Sequence, residues 1–167
     1  PETLEKLEVK FVVNATVELP DTPLPDNNIP EYMRVALKDT RESNLIDYFD
    51  EVADKIEEIR QKDGKSLVHC VAGVSRSVSL VIAYLMKYSD MTLNQAFHHV
   101  RSVRPQVRPN LGFFKQLVDY EQRLRGTTTV SMVFCNSLGE DIPDVYEPEY
   151  RAMELLYQKY RRSFAKR

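Results

Sequence analysis

Apolar residues along the chain follow two rhythms, and together they predict its elements. Short β-branched runs at 9–13 (Val9-Lys10-Phe11-Val12-Val13), 32–37 (Tyr32-Met33-Arg34-Val35-Ala36-Leu37) and 66–69 (Ser66-Leu67-Val68-His69) predict buried strands. Residues 3–8 predict the tail of a helix, and 14–30, with four of the nine prolines, predicts a loop. Leu45, Ile46, Phe49, Val52, Ala53, Ile56 and Ile59 recur at three- and four-residue spacing, which predicts an amphipathic helix with Asn44 as N-cap and Gly64 as stop. Residues 76–88 are mostly apolar, the pattern of a helix buried on most sides.

Thr92 and Gln95 form a capping box for a further helix that ends before Pro105, and Asn110 caps another that runs to about residue 125. A short strand is expected within 127–134, and Pro148 is expected to start a last helix ending in the basic tail 159–167. Strands alternating with helices imply an α/β domain: a central, mainly parallel, twisted sheet flanked by helices, with a helical C-terminal half. In such sheets, sites form at the carboxyl ends of strands. Cys70 follows one predicted strand and Asp39 another, so both are expected at one rim. The expected division is a main domain over 1–126 and an extension over 127–167 packed on the same domain.

Charge changes this picture more than composition does. The 167 residues are 43% hydrophobic and 29% charged, an ordinary globular balance with a net charge of only -2. Yet residues 1–63 carry 8 basic and 16 acidic side chains, whereas 64–136 carry 9 basic and 3 acidic. The stretch that holds Cys70 is the electropositive one, which suits an anionic substrate. Nucleic acid is the weaker reading, because no long Lys/Arg run or interleaved aromatic platform is present.

The two cysteines, Cys70 and Cys135, do not make a disulfide framework, and no spacing suggests a metal site. A reducing, intracellular and cytoplasmic setting is the natural expectation, with nucleus and mitochondrion left open. The run 80–86 is too short to span a bilayer. The first residue is Pro1, which leaves a targeting signal open.

The chemistry concentrates at His69-Cys70-Val71-Ala72-Gly73-Val74-Ser75-Arg76-Ser77. A tight turn at a helix N-terminus aims several backbone N–H groups into one concavity, and such a nest holds a tetrahedral oxyanion. Val71, Ala72, Gly73, Val74 and Ser75 are the expected cradle, with Gly73 supplying the permissive backbone. Arg76 adds a planar fork for two phosphate oxygens. The same field favours a thiolate at Cys70, which makes it the candidate nucleophile, and Ser77 can donate a hydrogen bond to the sulfur when it leaves.

The motif His69-Cys70-x-x-Gly73-x-Ser75-Arg76-Ser77 resembles the signature loop of cysteine-dependent protein phosphatases. Ala83-Tyr84-Leu85-Met86, Arg104-Pro105, Pro109-Asn110-x-Gly112-Phe113 and Gln116-Leu117 resemble their dual-specificity branch, and Ile142-Pro143-Asp144-Val145-Tyr146-Glu147 resembles its small atypical subgroup. The resemblance covers nearly the whole chain. It implies a protein-tyrosine-phosphatase-like fold, hydrolysis of phosphotyrosine and phosphoserine/threonine through a phosphocysteine, and neither metal nor organic cofactor. It also implies a general acid on a loop ahead of the long helix, a pattern matched by Lys38-Asp39-Thr40 and Asn44-Leu45, so Asp39 is the candidate. The family domain usually begins with a strand and turn ahead of the first helix, and this sequence does not contain them. Either a trimmed chain or a sheet short of an edge strand is expected.

Phosphoproteins are the expected partners, with mitogen-activated protein kinases as a family-based guess and the oligomeric state open. Two other readings stand beside this one: a phosphoprotein-binding module with little turnover, and an enzyme acting on phosphoinositides, RNA 5′-triphosphates or sulfur transfer. His69 reads as an orienting partner of the loop, and Asn110 as a helix cap, with contact to the site as the minor alternative. Cys135, His98 and His99 read as structural or surface residues. Arg104 and Arg108 are candidates for steering the phosphosubstrate.

Overall fold

The computed structural model describes residues 1–164, and 165–167, the end of the expected basic tail, lie outside the described residues. Two units are distinguished, Pro1–Thr129 and the remainder from Val130. In the first, helix α1 (Glu2–Lys6) leads into strand β1 (Val9–Asn14), followed by β2 (Glu31–Arg34), a 3₁₀ turn (Leu45–Tyr48) and helix α2 (Phe49–Gln61). Strand β3 (Lys65–His69) and helices α3 (Arg76–Tyr88), α4 (Leu93–Val103) and α5 (Leu111–Arg125) complete it.

The strands form one parallel sheet in the order β2-β1-β3. Central β1 carries Phe11, Val12 and Val13, all essentially inaccessible to solvent, as a strand covered on both faces must be. Helix α2 lies against β1, β3 and α3, and α3 in turn lies against α4 and α5. The register decides the position of the site: Asn14 is level with Arg34 on one side and His69 on the other. All three strands therefore end at one rim, and the loops that follow them start there together.

Three local expectations are corrected. Strand β2 stops at Arg34 rather than Leu37, because its sheet partner ends at Asn14. Val35 N–H still donates to Asn14 O at 2.9 Å, but Leu37 N–H then turns back to Val35 O at 2.9 Å. Asp39 sits on the loop beyond the strand and ahead of α2.

The helix expected from Asn44 begins as a 3₁₀ turn, and the Asn44 side chain caps nothing. Ile46 N–H donates instead to Gln116 Oε1 at 2.9 Å, while Gln116 Nε2 donates to Ser43 O at 2.8 Å. Gly64 is not the left-handed stop either, since Asp63 takes that conformation at φ 58°. Gly64 is needed for space, because a Cβ there would lie 2.7 Å from Ile59 Cγ2.

The expectations for α3, α4 and α5 hold closely. Thr92 and Gln95 form the reciprocal capping box, and Asn110 Oδ1 accepts from Phe113 N–H at 2.9 Å. A further cap is invisible in the local pattern: the fully buried Glu121 accepts from Leu93 N–H at 2.7 Å, in the first turn of α4. It also accepts from Thr129 N–H at 2.6 Å and Thr129 Oγ1 at 2.7 Å.

In the second unit the expected short strand is β4 (Met132–Cys135), and it pairs antiparallel with an unforeseen β5 (Glu140–Pro143). Gly139, at φ 69°, allows the turn between them. A 3₁₀ turn (Asp144–Tyr146) and helix α6 (Glu147–Phe164) follow, so the last helix starts one residue before Pro148. Among the described residues, no helix is long and apolar enough to cross a membrane.

Candidate active site

Cys70 leaves β3 at the rim and is 8% exposed, and the next residues wrap over the N-terminus of α3. Gly73 takes φ 64°, the left-handed value that the sequence reserved for it. The Ser77 hydroxyl lies 3.2 Å from Cys70 Sγ. Burial pushes the Cys70 thiol up, but hydrogen bonds from the Ser77 hydroxyl and from the N–H groups of Ser77, Gly73 and Val74 outweigh it, so the thiol is held below its ordinary value. The nest is therefore aimed at the sulfur. Val71 and Ala72 form its exposed lip, and Ser75, buried, closes it.

Arg76 begins α3 with only 4% of its surface exposed. A buried guanidinium needs a partner, and Glu18 supplies it. Nη1 donates to Glu18 Oε2 at 2.9 Å and Nη2 to Glu18 Oε1 at 2.6 Å, a bidentate pair, while Nη1 also donates to Leu37 O at 2.9 Å. The Glu18 carboxyl is held at about 2 by the hydrogen bond from Arg76. Arg76 Nε is buried with no partner among the described residues. Of the five guanidinium N–H groups, that leaves Nε–H and the second N–H of Nη2, a side-on fork, for an incoming oxyanion.

Asp39 is exposed, and its Oδ1 accepts from Asn110 Nδ2 at 2.8 Å. Asn110 thus does more than cap α5: its backbone N–H also donates to Ser75 Oγ at 2.9 Å, so one residue touches the acid loop and the cysteine loop together. His69 lies 2.7 Å from Thr22 Oγ1 through Nε2, and its Nδ1 is 3.4 Å from Cys70 O, which ties the start of the loop to the 14–30 segment.

Arg104 is engaged by the loop itself. Its guanidinium crosses the outside of the cysteine loop, with Nε donating to Gly73 O at 3.0 Å and Nη2 to Ala72 O at 3.1 Å. Arg108 donates its backbone N–H to Val74 O at 2.8 Å. Among the described residues, no group of three or more His, Cys, Asp or Glu side chains is arranged to hold a metal ion.

The rim thus brings Cys70, Ser77, Arg76, Asp39, Asn110 and His69 into one neighbourhood. Glu18, Thr22 and the brace from Arg104 were missed from the sequence. Glu18 had a usable signal, because it lies on the loop leaving a strand of the same parallel sheet and the buried Arg76 required a carboxylate. Thr22 and the carbonyls that Arg104 holds had none.

Comparison with known proteins points the same way. Residues 1–123 match the model of the dual specificity phosphatase catalytic domain. Mouse dual specificity protein phosphatase 14 is 47% identical over 148 residues, covering 89% of this chain and 72% of that protein. Human dual specificity protein phosphatase 18 is 45% identical over 150 residues, covering 90% and 77%. The crystal structure of human DUSP28 superposes with a TM-score of 0.70 at 31% identity, covering 75% of this chain and 85% of that one. Human tyrosine phosphatase-like serine/threonine/tyrosine-interacting protein gives a TM-score of 0.66 at 31% identity, covering 73% and 82%. On sequence and on fold alike, this chain belongs to the dual specificity protein phosphatases.

Proposed function

We propose that Cys70 is the nucleophile of this phosphatase and that the substrates are phosphoproteins. The observation that carries the reading is the placement of Cys70 Sγ 3.2 Å from Ser77 Oγ at the N-terminus of α3, beside the unpaired Nε of Arg76. The phosphoryl oxygens occupy the nest of residues 71–75 and the fork of Arg76. Cys70 attacks phosphorus, the S–P bond forms, and the P–O bond to the leaving group breaks.

Asp39, held by Asn110, gives its proton to the departing oxygen. In the second step Asp39 takes a proton from water as that water attacks phosphorus, and the S–P bond breaks. The Ser77 hydroxyl then donates to the thiolate as it leaves. A thiolate held this way needs a reducing compartment, and the cytoplasm is the setting proposed.

Mitogen-activated protein kinases are the first protein substrates to assay. The test uses Cys70→Ser and the double variant Cys70→Ser, Asp39→Ala with phosphotyrosyl and phosphothreonyl peptides. Retained peptide binding with lost turnover is expected, and the double variant should capture phosphoproteins that free phosphate releases. Substantial turnover by Cys70→Ser would overturn the covalent route. Release of no more than one phosphate per wild-type molecule would turn the reading toward a binding module.

A further inference from the structure

The segment joining α4 to α5 holds the cysteine loop from its outer side. Arg104 donates to Gly73 O and Ala72 O, Arg108 N–H to Val74 O, and Asn110 N–H to Ser75 Oγ. The geometry of the peptide unit gives these contacts a consequence at the sulfur. A trans peptide is planar, with its C=O and N–H pointing opposite ways. The carbonyl of Ala72 shares its plane with the N–H of Gly73, and the carbonyl of Gly73 shares its plane with the N–H of Val74. Gripping those two carbonyls outside the loop fixes the aim of those two N–H groups inside it.

We propose that Arg104 is a positioning residue: by holding the outward carbonyls of Ala72 and Gly73, it locks the Gly73 and Val74 N–H groups onto Cys70 and onto the oxygens of a bound phosphate. This rests on the reading of Cys70 as the nucleophile. Three observations support it. The two N–H groups concerned are among the donors that hold down the Cys70 thiol. Gly73 gives the loop the freedom to turn those peptide planes over, at φ 64°, so something outside the loop must select one orientation.

The third is spatial. A Cβ on Gly73 would lie 2.8 Å from Arg104 Nη2 and 3.2 Å from its Cζ, so the bare face of the glycine is where the guanidinium rests. A guanidinium bound to a carbonyl also polarises the peptide, which strengthens the N–H on its far side. The lysine ammonium is a point donor and does not reproduce a fork held across two carbonyls.

The test reads the Cys70 titration directly. Iodoacetamide alkylation is followed against pH, with Cys70 and Cys135 resolved by mass spectrometry, in wild type, Arg104→Met and Arg104→Lys. Arg104→Met is expected to raise the apparent Cys70 pKa by about one unit, leaving roughly tenfold less thiolate at neutral pH, with kcat/KM falling in step. Arg104→Lys should lie between the two, and the gap between wild type and Arg104→Met should persist at high salt, since it is not a screened field.

Arg104 is exposed, and Arg104→Lys keeps its stem and charge, so the comparison survives poor folding of Arg104→Met. A Cys70 titration unchanged in Arg104→Met would overturn the proposal. So would Arg104→Lys matching wild type in full, because charge alone would then suffice. Failure of the nucleophile reading looks different: Cys70 would alkylate without loss of turnover.

Discussion

Gly112 offers the sharpest test of how Asp39, the proposed acid, is held. It stands in the first turn of α5, and a Cβ built on it would lie 2.1 Å from Arg41 O, 2.6 Å from Arg41 Cα and 2.7 Å from Arg41 C. Ordinary contact begins at 3.4 Å, so in Gly112→Ala the start of α5 and the loop through Arg41 must separate by more than an ångström. All three atoms are backbone, and no rotamer change relieves the clash. The Asn110–Asp39 hydrogen bond of 2.8 Å spans the same gap and passes out of range. The cysteine loop keeps its grip from Arg104, so nucleophile and acid should separate experimentally.

Two magnitudes follow. Overpacking of this size costs about 1–3 kcal/mol of stability. Displacing a general acid by about an ångström costs on the order of 10²-fold, within the roughly 10²–10⁴-fold that such a group supplies. The assay is kcat/KM, which reports the first chemical step, across aryl phosphates of graded leaving-group pKa and a phosphotyrosyl peptide. Poor leaving groups should lose about 10²-fold and the best ones little, so the dependence on leaving-group pKa steepens. Cys70 alkylation should stay at the wild-type rate. A uniform loss across all leaving groups, or an unchanged slope in a destabilised protein, would refute the reasoning.

Ser77→Ala should raise the Cys70 thiol and slow departure of the sulfur, lowering kcat by about 10–10²-fold, the worth of one hydrogen bond to a charged group. Rapid-quench experiments should then show phosphoenzyme accumulating, and its absence at unchanged kcat would count against the assignment. Glu18→Gln removes the charge paired with Arg76. Because the Glu18 carboxyl is lowered from 4.5 to about 2 in the folded state, its contribution to stability is complete above pH 4.5 and is lost as pH falls toward 2. The gap in denaturation midpoint between wild type and Glu18→Gln should therefore be full at pH 7 and shrink below 4.5, and an equal gap at pH 7 and pH 3 would contradict this. Glu121→Ala leaves buried donors from Leu93 and Thr129 unpaired, at about 1–3 kcal/mol each. The melting temperature should drop while kcat/KM of the folded fraction is kept.

Much of this site is local, and what is local was legible. The Cys70 loop, the left-handed Gly73, the start of α3 at Arg76 and the capping box at Thr92 depend on torsions and hydrogen bonds within a few residues. Alternation of strand and helix also placed Cys70 and Asp39 toward one rim, because parallel strands share a carboxyl end. Where the expectation slipped, a distant partner intervened. Gln116 replaced Asn44 at the 3₁₀ turn, and the end of β1 cut β2 short.

The sequence by itself determined the chemistry: a thiol, a nest, a guanidinium and a hydroxyl at fixed short spacings, whose geometry follows from the turn that carries them. Tertiary structure alone decided how that chemistry is held. Glu18 and Leu37 reach Arg76, Arg104 reaches the carbonyls of Ala72 and Gly73, and Asn110 joins Ser75 to Asp39. Each of these pairings joins residues far apart in the chain, and no periodicity records them. They exist because the sheet register levels three strand ends and the helices crossing it bring the α4–α5 connection against the loop.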